Sequence, residues 1–80
     1  MPTVLRVRGF RFVIYTREHV PANVHVLNAD GECRILIHPD IALDERWDMK
    51  KTDAREAVRI ARENVKMLRE KWEEIHGRLE

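Results

Sequence analysis

The stretch that most limits what this chain can fold into is Asp53–His76, near the C-terminal end. Ala54, Val58, Ala61, Val65, Leu68, Trp72 and Ile75 recur there at spacings of four and three. That spacing lays one apolar stripe along an amphipathic α-helix. Ala57, Ile60 and Met67 widen the stripe on one flank. Trp72 is expected to anchor the core. Thr52 or Asp53 is placed to cap the start, and Asp53 with Glu56 has capping-box spacing. Gly77, just past His76, is a C-terminal stop. The rest of the chain must cover the stripe.

The material for that cover alternates. Thr3–Val7 and Phe10–Tyr15 read as two strands around an Arg8-Gly9 turn, with Gly9 supplying positive φ. The register sets Val7 opposite Phe10, Arg6 opposite Arg11, Leu5 opposite Phe12 and Val4 opposite Val13. Leu5, Val7, Phe10 and Phe12 then share the face that meets the helix. Residues 16–22 form a loop, since Pro21 removes a donor and disfavours helical geometry at Val20. Asn23–Asn28 and Glu32–Ile37 read as a second hairpin around a two-residue Asp30-Gly31 turn. This predicts Val26 opposite Ile35, Val24 opposite Ile37, His25 opposite Leu36 and Leu27 opposite Arg34. Residues 41–51 are too apolar for a loose linker. They supply a helical turn followed by a short fifth strand or an extended stretch. The expected fold is therefore α+β. Its antiparallel sheet has four strands in two hairpins, or five, packed on one long C-terminal helix.

Eighty residues suit one domain spanning 1–80, with a thin stability margin that a partner often widens. A single cysteine, Cys33, rules out an internal disulfide, and its place in a strand makes it a small buried hydrophobe. Apolar runs fall far short of a membrane span. The N-terminus lacks the continuous apolar segment of a secretory signal. A cytoplasmic location with no membrane partner is the expectation. Charged residues make up 36% of the chain, yet the net charge is only +1, which is not the mark of a dedicated nucleic-acid binder. Distribution matters more: Arg6, Arg8, Arg11 and Arg17 precede the first acid, Glu18. A local basic face on a near-neutral molecule follows.

The sheet face away from the helix is expected to carry Val4, Val13, Tyr15, Leu27 and Leu36 together with Arg6, Arg11, Arg34 and His25. Half apolar and half basic, it differs from the polar surface a solvated sheet normally shows. Either residues 41–49 fold over it, or another chain does: a small partner protein, a second copy, or nucleic acid. Arg6 opposite Arg11 is unfavourable; either the two side chains splay apart over Val4 and Val13 with their tips in water, or an acid relieves them, from a partner, a phosphate, Glu18 or Glu32. Arg6, Arg11, Tyr15, Arg17, Asn23, His25 and Arg34 are the candidate binding residues.

His19 and His25, with Asn23 between them, form the densest polar stretch. Two imidazoles are too few for a structural zinc site, so no metal and no cofactor is expected. A hydrogen-bonded structural pair is the first reading of His19 and His25; as a general acid–base pair they need a nucleophile or bound water nearby. With Arg17 they form the kind of grouping that metal-free phosphodiester cleavage uses. No glycine-rich phosphate loop, paired-cysteine motif or dinucleotide fingerprint is present.

Met1-Pro2-Thr3-Val4-Leu5-Arg6, Gly9-Phe10-Arg11-Phe12, Tyr15, Glu18-His19, Pro21 and Val24-His25-Val26, with Asp30-Gly31-Glu32, resemble small prokaryotic proteins of domain-of-unknown-function family 4160 (DUF4160). The resemblance spans essentially the whole chain. It implies a small α+β protein often encoded beside another small protein, and a toxin–antitoxin or regulatory role. It brings no established activity. His19, Pro21 and His25 match the family's central motif. Pro21-Ala22-Asn23 stands where the family commonly has Pro-Pro-His, so a histidine common in relatives is replaced here by Asn23. Two roles are therefore weighed. One is a regulatory module that binds a partner protein or nucleic acid. The other is an RNA-cleaving, toxin-like enzyme using His19 and His25.

Overall fold

The computed structural model describes residues 3–79; Met1 and Pro2, which contribute to the resemblance above, lie outside them. Five strands run in chain order across one antiparallel sheet: β1 Thr3–Val7, β2 Phe10–Val13, β3 Asn23–Leu27, β4 Glu32–Leu36 and β5 Ala42–Trp47. Two helices follow, α1 Lys51–Glu63 and α2 Val65–His76. They cover one face of the sheet. The α+β architecture read from the sequence is the one observed, with residues 42–47 supplying the fifth strand.

The first hairpin closes as expected. Val7 faces Phe10, Arg6 faces Arg11 and Leu5 faces Phe12. Arg8 and Gly9 both take positive φ, 50° and 84°, the twist that a two-residue hairpin turn needs. The register departs from expectation at Val4. A bulge between Thr3 and Leu5 sets Thr3, not Val4, opposite Val13. Val4 consequently packs against the main core instead of lying on the outer face.

The second hairpin is two residues out of the expected register. Val24 faces Ile35, Val26 faces Cys33, His25 faces Arg34 and Leu27 faces Glu32. The cause is Asn28. Its Oδ1 accepts hydrogen bonds from the backbone N–H of Asp30 and Gly31, each at 3.0 Å, and its own N–H donates to the Gly31 carbonyl. A four-residue loop, Asn28 to Gly31, therefore replaces the two-residue turn. Because side chains alternate with period two, a slip of two keeps every residue on its expected face. Val24, Val26 and Ile35 still point at the helices, and His25, Leu27 and Arg34 still point away.

The single long helix is the larger correction. Asn64 leaves helical geometry (φ −122°, ψ 19°), and its side-chain amide donates to the Ile60 carbonyl at 2.9 Å. A side chain bonding back to the i−4 carbonyl is a recognised cause of such breaks. The start differs too: Lys50 occupies the N-cap position with no side-chain cap, while Asp53 lies in the first turn and accepts a hydrogen bond from Asn28 at 3.2 Å. Gly77 ends α2 in the left-handed region, as expected.

One cluster forms the core: Phe10, Phe12, Ile14, Val24, Val26, Cys33, Ile35 and Ile37 from the sheet side, and Ala54, Ala57, Ile60, Ala61, Leu68 and Trp72 from the helices, with Met49 between them. Of the expected stripe, Val58 and Val65 lie at its half-buried margin, and Ala57 and Ile60 are deeper. Trp72 is fully buried, donates from Nε1 to the Arg78 carbonyl at 2.7 Å and stacks on His76. Three further ties fix the layers. Arg8 pairs with Glu56 at 3.0 Å, Arg69 donates to the carbonyls of Ile37 and Pro39, and His76 meets the Tyr15 carbonyl at 3.0 Å.

Candidate functional site on the outer sheet face

Cross-strand pairing arranges the outer face in rows. One runs Val13, His25, Arg34, Glu45 from β2 to β5; a second runs Arg6, Arg11, Leu27, Glu32 from β1 to β4. Asn23 and Leu36, followed by Ala42, make a third. The sequence placed the basic and apolar members of these rows correctly. The carboxylates that answer them come from the neighbouring strands and from the loop after β2.

His25 is the centre. It is only 7% exposed although it faces away from the helices. Three side chains enclose it. Tyr15 stands edge-on at 4.4 Å between ring centroids, Trp47 lies parallel to it at 6.2 Å, and Glu32 accepts or shares a hydrogen bond with Nδ1 at 2.6 Å. On the other side Nε2 is 3.8 Å from Glu18. That distance is too long for a hydrogen bond, and Nε2 is buried without one. The same surroundings act on Tyr15. Burial first, and then the charge of Glu32, push its phenol above the ordinary range, against a smaller opposing effect of Arg11.

Arg34, the next member of the row, is held by carboxylates. It donates from Nε to Asp44 at 2.7 Å and reaches Glu45 at 3.0 Å and Glu18 at 3.7 Å. The hydrogen bond to Asp44 leads the interactions that raise its pKa further above the ordinary arginine value. Its guanidinium also lies 5.9 Å from the Trp47 ring, within cation–π range.

Beside Arg34 an open groove of about 360 Å³ is lined by Glu18, His19, Val20, Pro21, Asn23, Arg34, Leu36 and Asp44. Asn23 is 3% exposed, and its amide donates to the Pro21 carbonyl at 3.0 Å and, more weakly, to that of His19. It braces the loop, while its own Oδ1 is buried with no partner. His19 is exposed on the groove wall and His25 is not among the lining residues. The two histidines thus do not line one groove. Arg17 is exposed in the turn after Tyr15.

Glu18 and Glu32 were two of the acids that could relieve Arg6 and Arg11. They serve His25 and Arg34 instead. Trp47 and Asp44 were not singled out by the sequence. The available signal was a tryptophan ending the charged run Asp44-Glu45-Arg46, where an exposed strand has no need of one. Residues 42–47 join the sheet as β5 instead of folding over this face, and Asp44, Glu45 and Trp47 reach its members from there. Val13 is fully buried, whereas Tyr15, Leu27 and Leu36 remain half-exposed.

No group of three or more metal-ligating side chains is assembled among the described residues. None of the helices is long and apolar enough to cross a membrane among these residues. No curated protein and no solved structure gives a match to the chain. Residues 9–73, most of the chain and the part that carries β2 to β5 and the outer-face rows from β2 onward, match the family described as a domain of unknown function, and the protein is a member of that family, DUF4160.

Proposed function

We propose that the chain is a small interaction module that takes a partner protein on the outer face of its sheet, around Trp47 and the adjoining groove. One observation carries this. Arg34, the central cation of the face, is already matched by Glu18, Asp44 and Glu45, while Trp47 beside it is left 41% exposed, and Val20, 53% exposed, lines the groove that Arg34 also lines. A matched arginine next to an uncovered tryptophan is chemistry suited to a protein contact, where aromatic anchors contribute most of the binding energy. A phosphate backbone calls for unmatched cations. Arg6, Arg11 and Arg17, which lie towards the β1 side, would serve that second role. The family resemblance puts a small protein encoded alongside first among candidate partners.

Co-expression with that neighbouring protein, followed by size-exclusion chromatography with light scattering, tests the proposal. A defined complex is expected. Trp47→Ala should leave the fold intact and weaken the complex at least tenfold, about 1.4 kcal/mol or more. Titration with RNA and DNA at two salt concentrations runs alongside. Salt-sensitive binding that disappears in Arg6→Ala/Arg17→Ala would move the function to nucleic acid. RNA cleavage lost in His19→Ala/His25→Ala would move it to the histidine-dependent enzyme. Absence of any complex, or one indifferent to Trp47, rejects the proposal.

A further inference from the structure

The strand order sorts charge. β1 and β5 are the two edges of the sheet. Residues 3–17, the β1–β2 hairpin and the turn after it, hold Arg6, Arg8, Arg11 and Arg17 and no acid. Residues 40–48, β5 with its flanks, hold Asp40, Asp44, Glu45 and Asp48 against Arg46. Part of this is matched within the fold. Arg8 meets Glu56, and Arg34 draws on Asp44 and Glu45. Arg6 stays exposed on the basic edge, and the single positive charge of Arg34 is fewer than the three carboxylates around it. Four strand spacings of about 4.8 Å put the edges roughly 19 Å apart. That is about two Debye lengths at physiological salt, so the two edges do not cancel each other.

Both edges are open to pairing. All six residues of β5 are exposed, and among the described residues no strand pairs with its outer side or with that of β1. An uncovered edge is a template for another strand. We propose that the occupant of the β5 edge is a second copy of this chain, docking through its own β1, so that copies join head to tail.

Charge selects this junction over the twofold ones. A β5–β5 contact brings Asp44 and Glu45 against the same acids, and a β1–β1 contact brings Arg6 against Arg6. The β5–β1 contact alone joins unlike edges. Geometry agrees. Four successive antiparallel pairings leave β1 and β5 running in the same direction. A copy displaced along the sheet therefore presents β1 parallel to β5 while keeping its helices on the same side. Leu43, which shares the helix-side face with Ile35 and is 43% exposed, then gains cover from Leu5 and Val7 of the next copy. Such a junction is heterologous, so each copy retains one open edge. Sheet twist rotates successive copies, and the assembly grows as an open helix instead of closing as a dimer. Nothing here depends on the partner proposed for Trp47.

Light scattering on the full chain, over a wide concentration range at low and at high salt, reads this directly. At low salt the average mass should climb past that of a dimer of the 9.5 kDa chain, and high salt should return it toward the monomer. Arg6→Glu and Glu45→Lys each set like charges across the junction and should each stay monomeric. The double variant Arg6→Glu/Glu45→Lys restores unlike charges and should associate again. Arg6 is exposed and the Glu45 side chain is 52% exposed, so unchanged thermal melts by circular dichroism are expected for all three. If Glu45→Lys fails that check, the loss of association in Arg6→Glu and the salt response decide. A wild-type mass fixed at the monomer, a closed dimer indifferent to Arg6→Glu, or folded double variants that stay monomeric would each overturn the proposal.

Discussion

Gly9 and Gly31 sit in the two hairpin connections, and each is glycine for a different reason. Gly9 has φ +84°, and a Cβ there would meet nothing within 4 Å. Its role is conformational. At Gly31 a Cβ would collide with the Trp47 carbonyl oxygen and lie 2.7 Å from Asp48 C and Met49 N. Its role is to let the end of β5 pass. Gly9→Asn should therefore cost less than about 1 kcal/mol, because asparagine tolerates the left-handed region. Gly31→Ala should cost about 1–3 kcal/mol, because backbone has to move. Urea unfolding midpoints check both, and an unchanged midpoint for Gly31→Ala would contradict the close approach. The Gly9 role was legible from Arg8-Gly9 lying between two alternating runs. The Gly31 role was not, since the atoms that crowd it come from a strand more than ten residues later.

At the scale of elements, the two largest departures from expectation each trace to an asparagine. Asn28 turned a two-residue turn into a four-residue loop, and Asn64 divided one helix into two. In each case a short amide side chain bonds nearby backbone and competes with the regular ladder. Hydrophobic period does not register this. The stripe runs on across Asn64 from Ala61 to Val65 and Leu68, and Asp30-Gly31 carries the stronger turn signal in sequence. A pair of substitutions separates the two versions of the second hairpin. Asn28→Ala removes the bonds to Asp30 and Gly31 and the one to Asp53, and should cost about 1–2 kcal/mol. Asp30→Ala loses an exposed contact with Lys50 at 3.9 Å and should stay within about 0.5 kcal/mol. Chemical denaturation of both variants reads the order, and the reverse order would restore the two-residue turn.

For the whole molecule, the buried strand face sets an alkaline limit on stability. Cys33 is fully buried. Burial, with a smaller contribution from Glu32, pushes its thiol from an ordinary 9.0 up to about 11. Below pH 9 the thiol is protonated in folded and unfolded chains alike, and its contribution is fully present. Between 9 and 11 the unfolded chain releases the proton and the folded chain keeps it. Stability should then fall by about 1.4 kcal/mol per pH unit. Tyr15 is shifted in the same direction from an ordinary 10.0 and adds to the loss once the pH passes 10. Urea midpoints measured across this range, with Cys33→Ala as the comparison, test it; equal slopes in the two proteins would remove Cys33 from the explanation. By itself the sequence determined four of the five strands, the turn at Gly9, which strand residues face the helices and which face away except at Val4, and the helical stripe. These follow from alternation, period and turn chemistry within a few residues. Only the tertiary structure decided that Glu18 and Glu32 flank His25, that Asp44 and Glu45 hold Arg34, and that Trp47 closes over the imidazole. Those contacts join residues from separate strands and a loop, and their pairing depends on strand order and register, which local periodicity does not encode.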